Sequence, residues 1–326
     1  MSEMLVTCGF TTFNSEKTIN RALASALEQD YKDIEILIVD DNSSDSTINK
    51  INSFFLKKDI RYKILKHKEN LGVASARNTL LNNANGEFLA FFDSDDISNK
   101  DRVSKQVLKI QSYEKNFSKK ASRFIYSPIC YSDREIIFNN NRKIYCKAMY
   151  INKKDYVFKE QIIGSLLFSY PFPKSSESGS TATCMLCARV ETLKKVDGFN
   201  SKLRRFEDLD LTIRAICNNI PICRVNKSLV KQFYTIFEYK KNEYTYEKRL
   251  IYLHRNWLKK KRLFKFAFCF IKFKQSILTL NINNSLYYFA LLSLNNPIIF
   301  LKRIISSLRT INFTVKLKII KNRIKN

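Results

Sequence analysis

The chain has 326 residues, 45% hydrophobic and 13% aromatic, with only 6 Gly and 5 Pro, which excludes a mainly disordered chain and any collagen-like or linker-like segment. Its formal net charge of +27 is unevenly placed: residues 226–326 hold 22 Lys/Arg against 3 acids, residues 1–225 hold 35 against 27. The front reads as an ordinary soluble domain, the back as a region built to meet something anionic.

In chain order, LVTCGF (5–10) reads as a strand, and Ile19, Ala22, Leu23, Ala26 and Leu27 have helical spacing. IEILIV (34–39) is a continuous apolar run, as expected of a strand covered on both faces. DDNSSDST then supplies acceptors that end a strand, turn, and cap the helix carrying Ile48, Ile51 and Phe55. RYKIL (61–65) is a third strand, VASARNTLLNNA (73–84) a third helix, and EFLAFF (87–92) a fourth strand ending in DSDD. This order predicts an α/β fold: a Rossmann-like, mostly parallel sheet with helices on both faces.

Farther on, a helix is expected over 101–115, a strand-like piece at RFIYSPICY (123–131) and a mobile loop at YPFPKSSESGSTAT (170–183). Leu209, Ile213, Ile216 and Ile220 have helical spacing directly after the acids of FEDLD. From about 240 the tail is basic, aromatic and helical. Its most apolar stretch, 285–301, is interrupted by Asn295, Asn296 and Pro297, which favours interfacial amphipathic helices over a spanning one. A helical cap with a solvated basic face is the alternative. The expected division is 1–235 (1–97 nucleotide side, 98–235 acceptor side) and a basic region 236–326, membrane-peripheral. MSEMLVTCGF is no secretory signal, so the eight cysteines read as reduced core residues of a cytoplasmic protein, and the CxxC of Cys184 and Cys187 as part of a buried segment.

In an open parallel sheet, ligands bind beyond the carboxyl ends of the strands. There the chain places Thr11, Thr12, Asn14 and Glu16, then Asp40 and Asp41, then Asn70 and Gly72, then Asp93, Asp95 and Asp96. Singly, Asp41 could merely cap and Asn14 merely turn; four clusters on one edge point to a site. Carboxylates crowded as in DSDD repel one another unless a cation neutralises them, and such hard oxygens suit Mg²⁺ or Mn²⁺.

FTTFNSEKTINRALASALEQDYKDIEILIVDDNSSDST, NLGVASARN, FFDSDD and the downstream DGFN and FEDLDL, in this order and spacing, resemble the inverting nucleotide-sugar glycosyltransferases of family 2, with the GT-A fold. The resemblance implies that Thr12, Asn14, Glu16, Asp41 and Arg77 surround the base and ribose of a UDP-sugar. It implies that Asp93 faces ribose or sugar, and that Asp95, Asp93 and Asp96 form the metal side of the D-x-D motif, holding Mn²⁺ or Mg²⁺. Asp208 is the implied general base, with Glu207 and Asp210 orienting it or reaching sugar hydroxyls. The expected activity is a single transfer, because a Q-x-x-R-W box is absent. A lipid-linked glycan of bacterial surface polysaccharide or lipopolysaccharide is the expected acceptor. The enzyme would work at the cytoplasmic face of the membrane, with the anionic surface as a further partner. The chain departs from the family in lacking a Pro in FTTFN and a His in 231–248, where Tyr239, Lys240 or Lys241 could substitute. A nucleotidyltransferase would show an early Gly-rich loop, which TTFNSEK lacks. A nucleic-acid binder would spread its basic and aromatic residues over one platform, and the front offers none.

Overall fold

The computed structural model describes residues 4–56, 58–115, 126–138, 142–168, 173, 175–233 and 243–302. Two compact units emerge: Met1–Val157 with Lys174–Glu238, and Phe158–Pro173 with Tyr239–Asn326.

The first unit opens with β1 (Val6–Thr12), α1 (Ile19–Leu27), β2 (Ile34–Asp40), α2 (Thr47–Phe55), β3 (Tyr62–Lys66), α3 (Val73–Asn83) and β4 (Phe88–Asp93). It continues with β5 (Ile97–Ser98), α4 (Arg102–Lys115), β6 (Ile129–Ile137) and β7 (Lys143–Cys146). In the second unit lies α5 (Lys159–Phe168); back in the first come β8 (Leu186–Arg189), α6 (Val190–Lys195), α7 (Glu207–Cys217) and β9 (Ile222–Phe233). The strand order is β3-β2-β1-β4-β8-β6-β9-β5, with β7 on β6.

The stretch β3-β2-β1-β4 is parallel throughout. The chain winds from β1 outward to β3, then returns to place β4 on the other side of β1. That reversal opens a crevice at the carboxyl ends of β1 and β4. Alternation sorts the strand side chains. Val6, Cys8, Phe10, Ile36, Ile38, Phe88, Ala90 and Phe92 pack with the apolar stripes of α1, α2 and α4 in one buried cluster. On the opposite face α3 comes close: a Cβ on Gly9 would meet Leu89 Cδ1 at 2.9 Å and Leu80 Cδ1 at 3.1 Å. A side chain there would force the Leu89 and Leu80 side chains to shift.

Beyond β4 the sheet is mixed. β8 runs antiparallel to both β4 and β6, while β6 and β9 are parallel. The strand expected over 123–131 starts at Ile129; residues 123–125 lie outside the described residues. β8 comes from the CMLCA segment, whose Cys184 and Cys187 are buried, and all eight cysteines are free. Within 170–183, residues 170–172 and 174 lie outside the described residues. The part that follows is strapped down rather than loose. The hydroxyls of Ser175 and Ser176 donate to Asp155 (2.6 and 2.5 Å), and Glu177 pairs with Arg224 at 3.1 Å.

In the second unit, α5 joins α8 (Glu243–Leu253), α9 (Arg255–Lys260), α10 (Phe264–Leu278) and α11 (Ile282–Asn295). Leu250, Ile251, Leu258, Phe266 and Ile271 are buried there, and Phe168 meets Phe266 edge to face at 5.6 Å. No helix among the described residues is long and apolar enough to cross a membrane.

Candidate active site

The loops after β1 and β2 are stitched together by the polar residues that follow the strands. Asp41 N–H donates to the Thr12 carbonyl at 2.8 Å. Asn14, left-handed at φ 48°, donates its N–H to Ser43 Oγ at 2.9 Å and accepts Ser44 N–H at 2.9 Å. Glu16 N–H donates to Asp45, and Glu16 Oε2 accepts Ser46 N–H, both at 3.1 Å. Asn14 and Glu16 thus hold the rim in shape. Thr12 Oγ1 is buried with no hydrogen-bond partner among the described residues, a hydroxyl poised for a ligand.

Asp41 is buried and already engaged. It accepts from Leu71 N–H (2.9 Å), Gly72 N–H (2.7 Å) and meets His67 Nδ1 at 2.7 Å; His67 Nε2 lies 2.9 Å from Thr79 Oγ1. A carboxylate has about four acceptor positions, so roughly one is left for a base. Gly72 sits at φ +89°, and a Cβ there would strike Arg204 at 2.9 Å, so the loop leading into α3 needs this glycine.

DSDD forms a turn at the end of β4, with Asp96 N–H donating to the Asp93 carbonyl at 3.3 Å. A turn brings its first and fourth residues together. Oxygens of Asp93 and Asp96 therefore lie with Cys184 Sγ within 4.8 Å of one another. Asp95, expected as a metal ligand, lies outside that trio, and its backbone carbonyl accepts from the Arg21 guanidinium. Burial and the neighbouring Asp93 push the Asp95 carboxyl up to about 6. Burial, Asp93 and Asp95 raise Asp96 well above the usual range. Asp96 Oδ1 accepts Phe233 N–H at 3.3 Å, but buried Oδ2 has no hydrogen-bond partner among the described residues. Mutually repelling carboxylates with an orphaned oxygen fit a divalent cation. Burial also raises the Cys184 thiol, and as a soft donor it suits Mg²⁺ or Mn²⁺ less well than the carboxylate oxygens.

Arg77 ties this lip to the start of α7. The sequence grouped it with Thr12, Glu16 and Asp41 around a nucleotide. In the structure Nη1 binds Glu207 at 2.6 Å and Nη2 lies 3.4 Å from Asp93. Its guanidinium is buried over the Phe199 ring at 5.5 Å, with Nε unpartnered among the described residues. Burial would lower its pKa, yet Asp93, Glu207 and Asp208 together raise it.

Asp208 stands beside Glu207. Its carboxyl accepts Leu209 N–H at 2.7 Å and is pushed up to about 7, first by burial and then by the charge of Glu207, with Arg77 pulling the other way. A carboxyl poised near neutrality suits a general base. Asp210 has another duty. It is buried and accepts from Arg214 at 2.8 Å, one turn along α7, and Arg214 also grips the carbonyls of Val196 and Gly198. This pair anchors the start of α7, because i and i+4 meet on a helix face.

Four residues had no part in the sequence-based site: His67, Cys184, Arg102 and Arg134. Arg134, on β6, donates toward Cys184 Sγ at 3.8 Å, and its charge acts on both Asp96 and Asp208. Arg102 is fully buried and donates to the Phe91 carbonyl (2.7 Å), Ser98 (2.8 Å) and Gln106 (3.1 Å). His67, Cys184 and Arg134 join partners far apart in sequence, which no local motif signals; Arg102 bonds mainly to near neighbours and reaches the distant Leu186 carbonyl at 3.4 Å. Tyr239, Lys240 and Lys241 lie outside the described residues.

A switched α/β sheet with carboxylates at its open end, extended by a mixed half, defines a GT-A type transferase fold. The fold is matched by the crystal structure of S. aureus TarS 1-349 in complex with UDP-GlcNAc (TM-score 0.57, 20% identity, 88% of this chain and 79% of that one). Residues 8–154 match the model of Glycosyl transferase family 2. Among curated relatives, the Escherichia coli UDP-Glc:alpha-D-GlcNAc-diphosphoundecaprenol beta-1,3-glucosyltransferase WfgD is 40% identical over 107 residues, 33% of this chain and 41% of the relative. The E. coli enzyme WfaP, whose name states the same activity, is 41% identical over 103 residues, 32% of this chain and 40% of the relative. An uncharacterized glycosyltransferase of Methanocaldococcus jannaschii, MJ1057, is 27% identical over 234 residues, 71% of each chain. The family 2 match is confined to residues 8–154, and the aligned segments span about two fifths of the length of the E. coli relatives.

Proposed function

We propose that the protein is an inverting, metal-dependent glycosyltransferase that moves one sugar from a UDP-sugar to a hydroxyl of a lipid-linked glycan. The reading places it at the cytoplasmic face of a bacterial membrane, in assembly of surface polysaccharide or lipopolysaccharide such as O-antigen or capsule. Its support is the ion pairing of Arg77 with both Asp93 and Glu207, which sets the DSDD lip and the FEDLD acids beside each other. The two E. coli relatives act, by name, from UDP-Glc on a diphosphoundecaprenol-linked GlcNAc, and the solved TarS carries UDP-GlcNAc.

In this reading Thr12 and the remaining acceptor position of Asp41 contact the nucleotide, with Asn14 and Glu16 shaping its rim. Asp93 and Asp96, with Asp95 nearby, would hold Mn²⁺ or Mg²⁺, which supplies positive charge to a leaving diphosphate. Asp208 takes the proton of the acceptor hydroxyl. That oxygen bonds to the anomeric carbon while the bond to the diphosphate breaks, and UDP carries off the electron pair. One base and one displacement give inversion, with Glu207 and Arg77 holding Asp208 in place. Residues 1–97 serve the donor and 98–235 the acceptor, while the basic tail lies on the anionic leaflet. The test is a panel of nucleotide sugars assayed for donor hydrolysis with Mn²⁺, in wild type and Asp96→Asn. A UDP-sugar consumed by the first and spared by the second is expected; no turnover of any donor overturns the reading.

A further inference from the structure

The second unit turns apolar side chains outward. α11 is apolar around most of its circumference, yet Leu292 is its one buried residue. A helix of that character is ordinarily enclosed by protein or lipid. The turn joining α10 to α11 goes further: Leu278, Leu280 and Ile282 are 60%, 86% and 71% exposed. From Gln275 to Leu301 the sequence holds no charged residue, a window of 27 positions bracketed by Lys272 and Lys274 on one side and Lys302 on the other.

We propose that this turn is a wedge, with Leu278, Leu280 and Ile282 inserted among the acyl chains of an anionic bilayer. The inference deepens the membrane-surface placement above and rests on it. Charge selects the occupant. No carboxylate side chain follows Glu247, so a second copy of the chain would bring like-charged rims together, whereas anionic head groups complement them. Length sets the depth. The 14 residues of α11 span about 21 Å, short of the roughly 30 Å hydrocarbon core, so the hairpin enters one leaflet without crossing. Tyr287 and Tyr288, on the same helix, suit the head-group level.

The test uses the full chain with vesicles of phosphatidylglycerol and phosphatidylethanolamine, and with phosphatidylcholine vesicles as the neutral control. In the double variant Leu280→Asp, Ile282→Asp, the fraction bound to anionic vesicles should fall at least tenfold. Donor hydrolysis without vesicles should stay within about twofold, because neither side chain belongs to the catalytic unit. With Trp257→Phe and Leu280→Trp, the emission of the new indole should shift to the blue and be quenched by lipids brominated along the acyl chain. Vesicle binding without quenching overturns the wedge. So does a concentration-dependent dimer in lipid-free buffer that the double variant dissolves. Vesicle binding and quenching in a protein that hydrolyses no nucleotide sugar would uphold the wedge and sink the transferase reading.

Discussion

The two units break the ordinary rules of burial in opposite directions. The first draws carboxylates inward, where Asp96 keeps an oxygen with no hydrogen-bond partner among the described residues and Asp208 is held near neutrality. The second pushes Leu280 and Ile282 out into solvent. Each departure costs stability in the isolated chain, and each would be relieved by a complementary ligand: a cation with a diphosphate for one, a lipid surface for the other. The inconsistencies that a packing argument counts as faults are therefore the best pointers to what each unit meets.

Substitutions can break or sharpen this contrast. Asp208→Asn should lower transfer by about three orders of magnitude while UDP-sugar affinity, measured by calorimetry, barely moves. A comparable loss of donor affinity would show that Asp208 belongs to the donor side. Arg77→Leu should cost about 3–5 kcal/mol in denaturant unfolding, because Glu207 is left buried without its counter-charge. Saturating Mn²⁺, at about 100 times its dissociation constant, should stabilise the wild type by roughly 2.7 kcal/mol. Asp96→Asn should lose that gain, yet be more stable than the wild type without metal, since it removes a repelled charge.

The pH dependence follows from Asp208. Below about 7 its carboxyl keeps its proton and cannot accept another, so the transfer rate should fall about tenfold per unit on that side and level off above. The same shift acts on stability. The folded pKa is raised above the unfolded one, so this contribution is fully present below about 4 and lost as pH climbs through 7. Both slopes should flatten in Asp208→Asn. The smallest effect is expected for Asp210→Asn, about 1–2 kcal/mol of stability, with activity within about tenfold, because its bond to Arg214 shapes a loop.

β1, β2 and β4 were legible in sequence because central strands covered on both faces write themselves as apolar runs, and α1 and α2 as regular stripes, whereas β3 is a short, largely exposed edge strand. The mixed half was not. β6 carries Asp133 and Arg134, whose partners lie across the chain: Asp133 accepts Ala148 N–H, and Arg134 reaches Cys184 while its buried Nε has no partner among the described residues. The site divided along the same line. Asp93, Asp96 and Asp208 stand out by motif, and Arg77 stands out with them, though its pairing with Asp93 and Glu207 is not written in any local pattern. Asp210 looked equivalent to Asp208 because a sequence does not state which helix face turns to solvent. His67 left no trace, since its partners Asp41 and Thr79 depend on how the loop before α3 folds.

Arg102 sets a further property of the acid lip. Its guanidinium is sealed in the core beneath β4, over the Phe92 ring at 4.6 Å, and its charge is felt at Asp93. Mobile ions of the medium, which screen exposed charges beyond about 8–10 Å, have no access to it. Raising ionic strength should therefore weaken the hold of the lysine-rich tail on a leaflet while leaving the electrostatics behind the sugar donor almost untouched. If the tail is held as proposed, salt would loosen its electrostatic grip without disarming the acid lip.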